Sequence, residues 1–124
     1  MAARERAAYE GVTMTTAQSV PEVPASAVPE AGWLLDVREP YEWSAGHAPT
    51  ATHIPLAQLN HRSAEIPRDD TIYVICRSGA RSARVTLALV EAGWQALNVG
   101  GGMQDWAAAG RPMVSDTGAA PTVA

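Results

Sequence analysis

Ile72-Tyr73-Val74-Ile75 runs without interruption into Cys76-Arg77-Ser78-Gly79-Ala80-Arg81-Ser82. The first four residues are apolar and rich in β-branched or aromatic side chains, which predicts a buried strand. Ala83-Arg84-Val85-Thr86-Leu87-Ala88-Leu89-Val90-Glu91-Ala92 follows, with Gly93 just past its end as a helix stop. A strand that turns through a short loop into a helix is the start of a crossover to a parallel neighbour. The same order recurs along the chain, so the predicted class is α/β, with a mainly parallel sheet covered on both faces. Active sites of such sheets lie beyond the carboxyl ends of the strands, where this unit places Cys76.

The loop's chemistry follows from that position. A helix N-terminus has unpaired N–H groups and about half a positive charge, so it favours an anion. A loop folded around one point adds further N–H donors. Arg77 and Arg81 bring two permanent cations. Each effect favours thiolate over thiol, and sites of this kind reach pKa values of roughly 3.5–7.5. Cys76, the single cysteine of the chain, is therefore read as a nucleophile rather than as a buried structural residue. Gly79 allows a tight turn without a Cβ clash, and the Ser82 hydroxyl is expected to cap the helix.

The loop resembles the active-site loop of rhodanese-domain sulfurtransferases. Leu34-Leu35-Asp36-Val37-Arg38-Glu39-Pro40-Tyr41-Glu42-Trp43 resembles that family's Asp-Val-Arg-Glu segment and the helix after it. Gly46-His47-Ala48-Pro49 through His53-Ile54-Pro55 resembles its Gly-His-Ile-Pro-Gly-Ala…Ile-Pro segment, with Thr50 where the family usually has Gly. Gly100-Gly101-Gly102-Met103-Gln104-Asp105-Trp106 resembles its Gly-Gly…Trp segment. The four motifs occur in the family's order and cover about residues 19–114. The resemblance implies a three-layer α/β/α sandwich with a central five-stranded sheet.

It also implies the chemistry. The Cys76 thiolate would take sulfane sulfur from thiosulfate or a related small anionic donor, carry it as a persulfide, and pass it to cyanide or a thiol. That is covalent catalysis in two half-reactions. The N–H groups of residues 77–82 (Arg77, Ser78, Gly79, Ala80, Arg81 and Ser82) would hold the persulfide anion. Arg77 and Arg81 suit the charged oxygens of the donor, although one of them could instead pair with Asp36. Asp36 and Arg38 are expected to brace the loop. Met103 and Trp106 read as pocket wall or core, and Trp33, Trp43 and Trp94 as packing.

Other readings stay open beside this one. Cys76 could carry sulfur for a partner protein that completes the chemistry, or the domain could be regulatory. Dual-specificity phosphatases and arsenate reductases of this fold also place Cys before Arg in an anion cradle. Their loop resembles Cys, five residues, Arg, whereas four residues separate Cys76 from Arg81. His47, His53 and His61 could supply a hydrolase base or, with Cys76, a metal site, but their spacing matches no recognised ligand pattern. No cofactor and no metal are expected.

The remaining bounds are coarse. A chain of 124 residues makes one domain with a real core, and its net charge of −4 argues against general nucleic-acid binding. No apolar run approaches a membrane span. One cysteine makes no internal disulfide, and no signal peptide is visible at the start, so a cytoplasmic location is the expectation. Residues 1–18 are expected to form a flexible extension, with Met14 as an alternative start. The domain proper is expected over 19–114, beginning with an edge strand near Ser19–Val23. The small, polar tail 115–124 is expected to be disordered.

Overall fold

The computed structural model describes residues 13–14, as backbone, and 20–124. Its strands are β1 (Thr13–Met14), β2 (Pro21–Pro24), β3 (Trp33–Asp36), β4 (Thr52–His53), β5 (Thr71–Ile75) and β6 (Gln95–Gly100). Its helices are α1 (Pro40–Ala45), α2 (Leu59–Arg62), α3 (Ala80–Glu91) and α4 (Gly102–Ala108). The strands form one sheet in the order β1-β2-β6-β5-β3-β4. Five of them are parallel, which matches the predicted rhodanese-like α/β architecture. The two-residue β1 adds an antiparallel edge beside β2. Of the N-terminal extension, only this pair of residues lies within the described part, and Ser19 lies outside it.

The sheet is buried on both sides because adjacent strand residues point to opposite faces. Leu35, Val74 and Ala96 join Ile54, Ile66, Val85, Leu89 and Trp94 in one core. Leu34, Ile75 and Leu97 join Val28, Met103 and Trp106 in the other. β5 is therefore covered on both faces, with Thr71 and Tyr73 half-buried, which explains its unbroken apolar run.

Local chemistry sets the helix starts. Pro40 occupies the first turn of α1, where its missing N–H costs nothing. Glu39 and Glu42 form a reciprocal capping box there. α3 begins at Ala80 rather than Ala83, with Gly79 as its N-cap at φ 108°. Ser82 is thus already inside the helix and does not cap it. This corrects the expected role of its hydroxyl, since a residue in left-handed conformation here has to be glycine. The segment after Pro55 contains α2, a single turn.

The tail departs from the expectation of disorder. Val114 and His47 exchange backbone hydrogen bonds at 2.9 Å in each direction. Asp116 N donates to Ser44 O and Thr122 N to Ala45 O, each at 2.9 Å. Val123 packs against the Met103 and Trp106 core. The otherwise unpaired carbonyls at the end of α1 thus give the tail backbone partners that its composition does not advertise.

Three elements meet at the carboxyl edge of the sheet. β5 delivers Cys76, β3 delivers Asp36, and the turn after β6 starts α4. The first N–H groups of α4 point at the loop: Met103 N donates to Cys76 O at 2.8 Å, and Gln104 N to Arg77 O at 3.0 Å. Gly102, at φ 54°, makes this approach possible, because a Cβ there would collide with Cys76 O and with the Arg77 carbonyl group. Gly102→Ala should therefore either displace the loop or destabilise the fold by about 1–3 kcal/mol, the range for overpacking and strained backbone. Thermal unfolding and the Cys76 alkylation rate, measured together, check this. A variant with both at their original values would show that the turn can yield.

Candidate active site

Cys76 is 1% exposed, at the floor of a cradle built by the first turn of α3. Gly79 N–H donates to Sγ at 3.1 Å, and the Ser82 hydroxyl donates to it at 3.2 Å. The Ser82 hydroxyl reaches inward because its residue sits one turn along α3, facing back toward the loop. Thr86 Oγ1 donates to Ser82 O at 2.8 Å and fixes that turn further.

These contacts set the protonation of the thiol. Burial is the largest single influence and pushes the Cys76 pKa up. Hydrogen bonds from the Ser82 hydroxyl and from the N–H groups of Ser82, Gly79 and Ser78 together outweigh it, so the net shift is downward. The expected direction holds, but its cause differs from the sequence-based argument. Neutral donors at hydrogen-bonding distance lead the lowering of the thiol, and the Arg81 charge, itself paired with Glu42, favours the thiolate as a lesser influence.

The arginines are engaged elsewhere. Arg81 makes a bidentate ion pair with Glu42, Nη1 to Oε1 at 2.7 Å and Nη2 to Oε2 at 2.8 Å. The alternative of an Asp36 partner for Arg81 or Arg77 is thereby corrected, since Asp36 is fully taken by Arg38. Glu42, missed in the sequence reading, is buried at the centre of this arrangement. The Arg81 hydrogen bonds hold its carboxyl below the usual range against the opposing effect of burial. A lowered carboxyl stabilises the fold above its unfolded-state pKa, about 4.3. That contribution is lost as pH falls through the folded value.

Asp36 and Arg38 are both 0% exposed. Arg38 Nε and Nη2 donate to the Asp36 carboxylate, Nη2 at 2.8 Å, and Arg38 N–H donates to Oδ1 at 3.1 Å. Arg38 also donates to Glu42 O at 3.2 Å and Gly46 O at 2.8 Å, gripping α1 near its end. Arg77 and Ser78 are exposed at the mouth, as is Ala80. Arg77 Nε donates to the Ala124 carbonyl at 3.0 Å, so the tail reaches the rim of the cradle.

The histidines lie apart from this chemistry. His47 and His53 stack on Trp43, with centroids 3.5 Å and 4.7 Å away. Each also bonds a backbone carbonyl, His47 Nδ1 with Trp43 O and His53 Nε2 with Arg38 O, both at 2.7 Å. Among the described residues no group of three or more His, Cys, Asp or Glu is arranged to hold a metal ion. Two clefts, of about 380 and 600 Å³, lie away from the loop and include none of residues 76–82.

Comparison with known proteins places this geometry. Residues 21–109 match the family model of the rhodanese-like domain. A sulfurtransferase of Allochromatium vinosum is 38% identical over 86 residues, covering 68% of this chain and 80% of that protein. The adenylyltransferase and sulfurtransferase uba4 of Ogataea parapolymorpha is 34% identical over 90 residues, covering 71% of this chain but 22% of that protein. YrkF of Bacillus subtilis is 37% identical over 97 residues, and the chain spans about half its length, 52%. Among solved structures, a rhodanese-related protein from Thermoplasma volcanium superposes with a TM-score of 0.71 at 34% identity, over 75% of this chain and 96% of that one.

The cradle makes a pH-dependent prediction. Alkylation of Cys76 by a neutral reagent should titrate with a midpoint below about 8.5, the free-thiol value. Ser82→Ala removes one donor to the sulfur and should move that midpoint up, so that the rate at neutral pH falls. A Ser82→Ala midpoint equal to the original would take the hydroxyl out of the account.

Proposed function

The chain belongs to the rhodanese-like domain family, and from that membership together with its cradle we propose that it is a thiosulfate-type sulfurtransferase working through a Cys76 persulfide. The observation that carries the reading is the thiol itself, buried, lowered in pKa and ringed by neutral donors. A thiolate held this way is a nucleophile for sulfur.

In the first half-reaction the Cys76 thiolate attacks the outer sulfur of thiosulfate. A Cys76 S–S bond forms, the donor's S–S bond breaks, and sulfite departs with that bond's electron pair. The negative charge on the enzyme moves from Sγ to the new terminal sulfur, about 2 Å further out. The N–H groups of residues 77–82 supply donors along that path, which is charge stabilisation where charge develops. In the second half-reaction cyanide or a thiolate takes the terminal sulfur, and the Cys76 thiolate returns. Arg77, exposed at the mouth, is assigned to the anionic oxygens of the donor. Arg81, paired with Glu42, is assigned to holding the loop.

Two observations favour sulfur over a tetrahedral oxyanion. The loop has four residues between Cys76 and Arg81, and the Arg81 guanidinium is occupied by a carboxylate. A phosphate would have to displace Glu42 to gain that cation. Part of the family supports a second reading within the same chemistry. The relative uba4 joins sulfurtransferase and adenylyltransferase in one name, so a domain like this one could pass its persulfide to a protein partner. The cytoplasmic setting is proposed along with the reading.

Intact mass tests the proposal. Incubation with thiosulfate should add one sulfur, and cyanide should remove it. Cys76→Ser should neither gain sulfur nor turn over. No gain with thiosulfate or with a persulfide donor would remove the reading. A gain from persulfides alone would favour the relay version. A companion experiment separates the arginine's roles. Arg77→Ala should lower kcat/KM for thiosulfate by about 10- to 100-fold, the scale of a hydrogen bond to a charged group, and affect a neutral persulfide donor less. Equal losses would make Arg77 a loop support.

A further inference from the structure

Asn98 is an amide buried beneath the cradle that no step above uses. It lies on β6, 2% exposed. Its Nδ2 donates to Gly79 O at 3.3 Å and to Glu22 Oε1 at 2.9 Å, so both of its N–H bonds are spent. Its Oδ1 is buried and, among the described residues, has no hydrogen-bond partner. An orphaned carbonyl in a core is costly, and an apolar residue of the same size would avoid the cost. Packing therefore gives no reason for an amide at this position. The reason lies in what the amide holds.

Gly79 is the pivot of the loop. Its N–H donates to the Cys76 sulfur, and its C=O accepts the first α3 bond from Ala83 at 3.1 Å as well as the bond from Asn98. Its φ of 108° belongs to glycine alone, so the residue has little intrinsic preference to hold it there. Fixing the carbonyl on one side of the Gly79 Cα limits rotation of the residue and so fixes the aim of the N–H on the other side. Glu22, on β2, holds the amide from behind.

We propose that Asn98 is a positioning residue that aims the Gly79 N–H at the Cys76 sulfur, in both its thiolate and its persulfide form. The proposal rests on the reading of Cys76 as a nucleophilic thiolate and adds the residue that orients its cradle. It acts through Gly79 and touches no substrate.

The test compares three variants by the pH dependence of Cys76 alkylation and by thermal unfolding. Asn98→Leu keeps the amide's branching and removes the orphaned oxygen, but it is bulkier and takes a donor from Gly79 O and from Glu22, so it should fold with a modest loss of stability. Its alkylation midpoint should rise by about half a unit or more, the scale expected when one donor to a thiolate loses its aim. Asn98→Ala should raise the midpoint similarly while unfolding earlier, because it leaves a cavity. Glu22→Gln keeps the bond to Gly79 and should keep the midpoint. An original midpoint in folded Asn98→Leu would overturn the proposal. So would an equal shift in Glu22→Gln, which would assign the effect to the β2 carboxylate, and so would failure of both Asn98 variants to fold. Sulfur loading measured alongside separates the two readings. If the original protein takes no sulfur from any donor, the functional reading fails while the midpoints still decide the role of Asn98.

Discussion

The guanidinium of Arg38 is the constraint around which the site is arranged. Burying a cation completely costs several kcal/mol unless a partner and hydrogen bonds replace its water. Here Asp36 supplies the countercharge, and Glu42 O and Gly46 O take further donors. A hydrophobic pair could fill the same space at no greater cost. What it could not do is define direction. Four fixed acceptors tie the end of β3 to α1, and α1 presents the Glu42 carboxylate to Arg81. The chain of contacts thus runs from a strand end, through a buried ion pair and a helix, to the outer wall of the cradle.

The inner wall solves a different problem, that of holding an anion where water has little access. Cations would be the strongest answer by Coulomb's law, yet the direct contacts of both loop arginines go elsewhere, and Arg81 reaches the sulfur only as a charge at range. The thiolate is stabilised instead by short N–H and O–H dipoles, each local in range and fixed in direction. Such donors need their own backbone to be rigid. α4 provides that by donating to the Cys76 and Arg77 carbonyls, and Gly102 by leaving room for it. Rigid donors thus lead the stabilisation, with charge in a lesser part.

How much of this was legible in the chain depends on sequence distance. The parallel sheet was readable because β3, β5 and β6 are apolar runs whose two faces are both buried. Cys76 was readable because a strand, a Gly-containing loop and a helix lie within a few residues of one another. Asp36 and Arg38, two residues apart, were readable as a charged pair expected to brace the loop; the contacts of Arg38 beyond Asp36 go to the end of α1. Glu42 was not, because it meets Arg81 across 39 residues and reads locally as a capping-box partner for Glu39. Asn98 meets Glu22 across 76 residues, with a pattern that reads as an ordinary strand residue. α2 is one turn of polar and apolar residues without a helical period to detect. The tail's partners are backbone carbonyls of α1, which no side-chain pattern can announce. Ser82 was assigned to the cap because the helix start was placed three residues late, which makes an N-cap of a residue that lies inside the first turn.

The division between dipoles at the sulfur and a cation at the rim also fits the proposed sulfur transfer in two half-reactions. A guanidinium touching Sγ would stabilise the thiolate and the persulfide through the whole cycle. Neutral donors discriminate by position, so their effect on each sulfur depends on where it sits in the loop. A cation at the mouth, where Arg77 lies exposed, would act on the donor's oxygens while they are present and lose that contact when sulfite departs. Placed there, it would contribute to donor binding without adding to the barrier of the second transfer, since uniform stabilisation of every state gains nothing in rate.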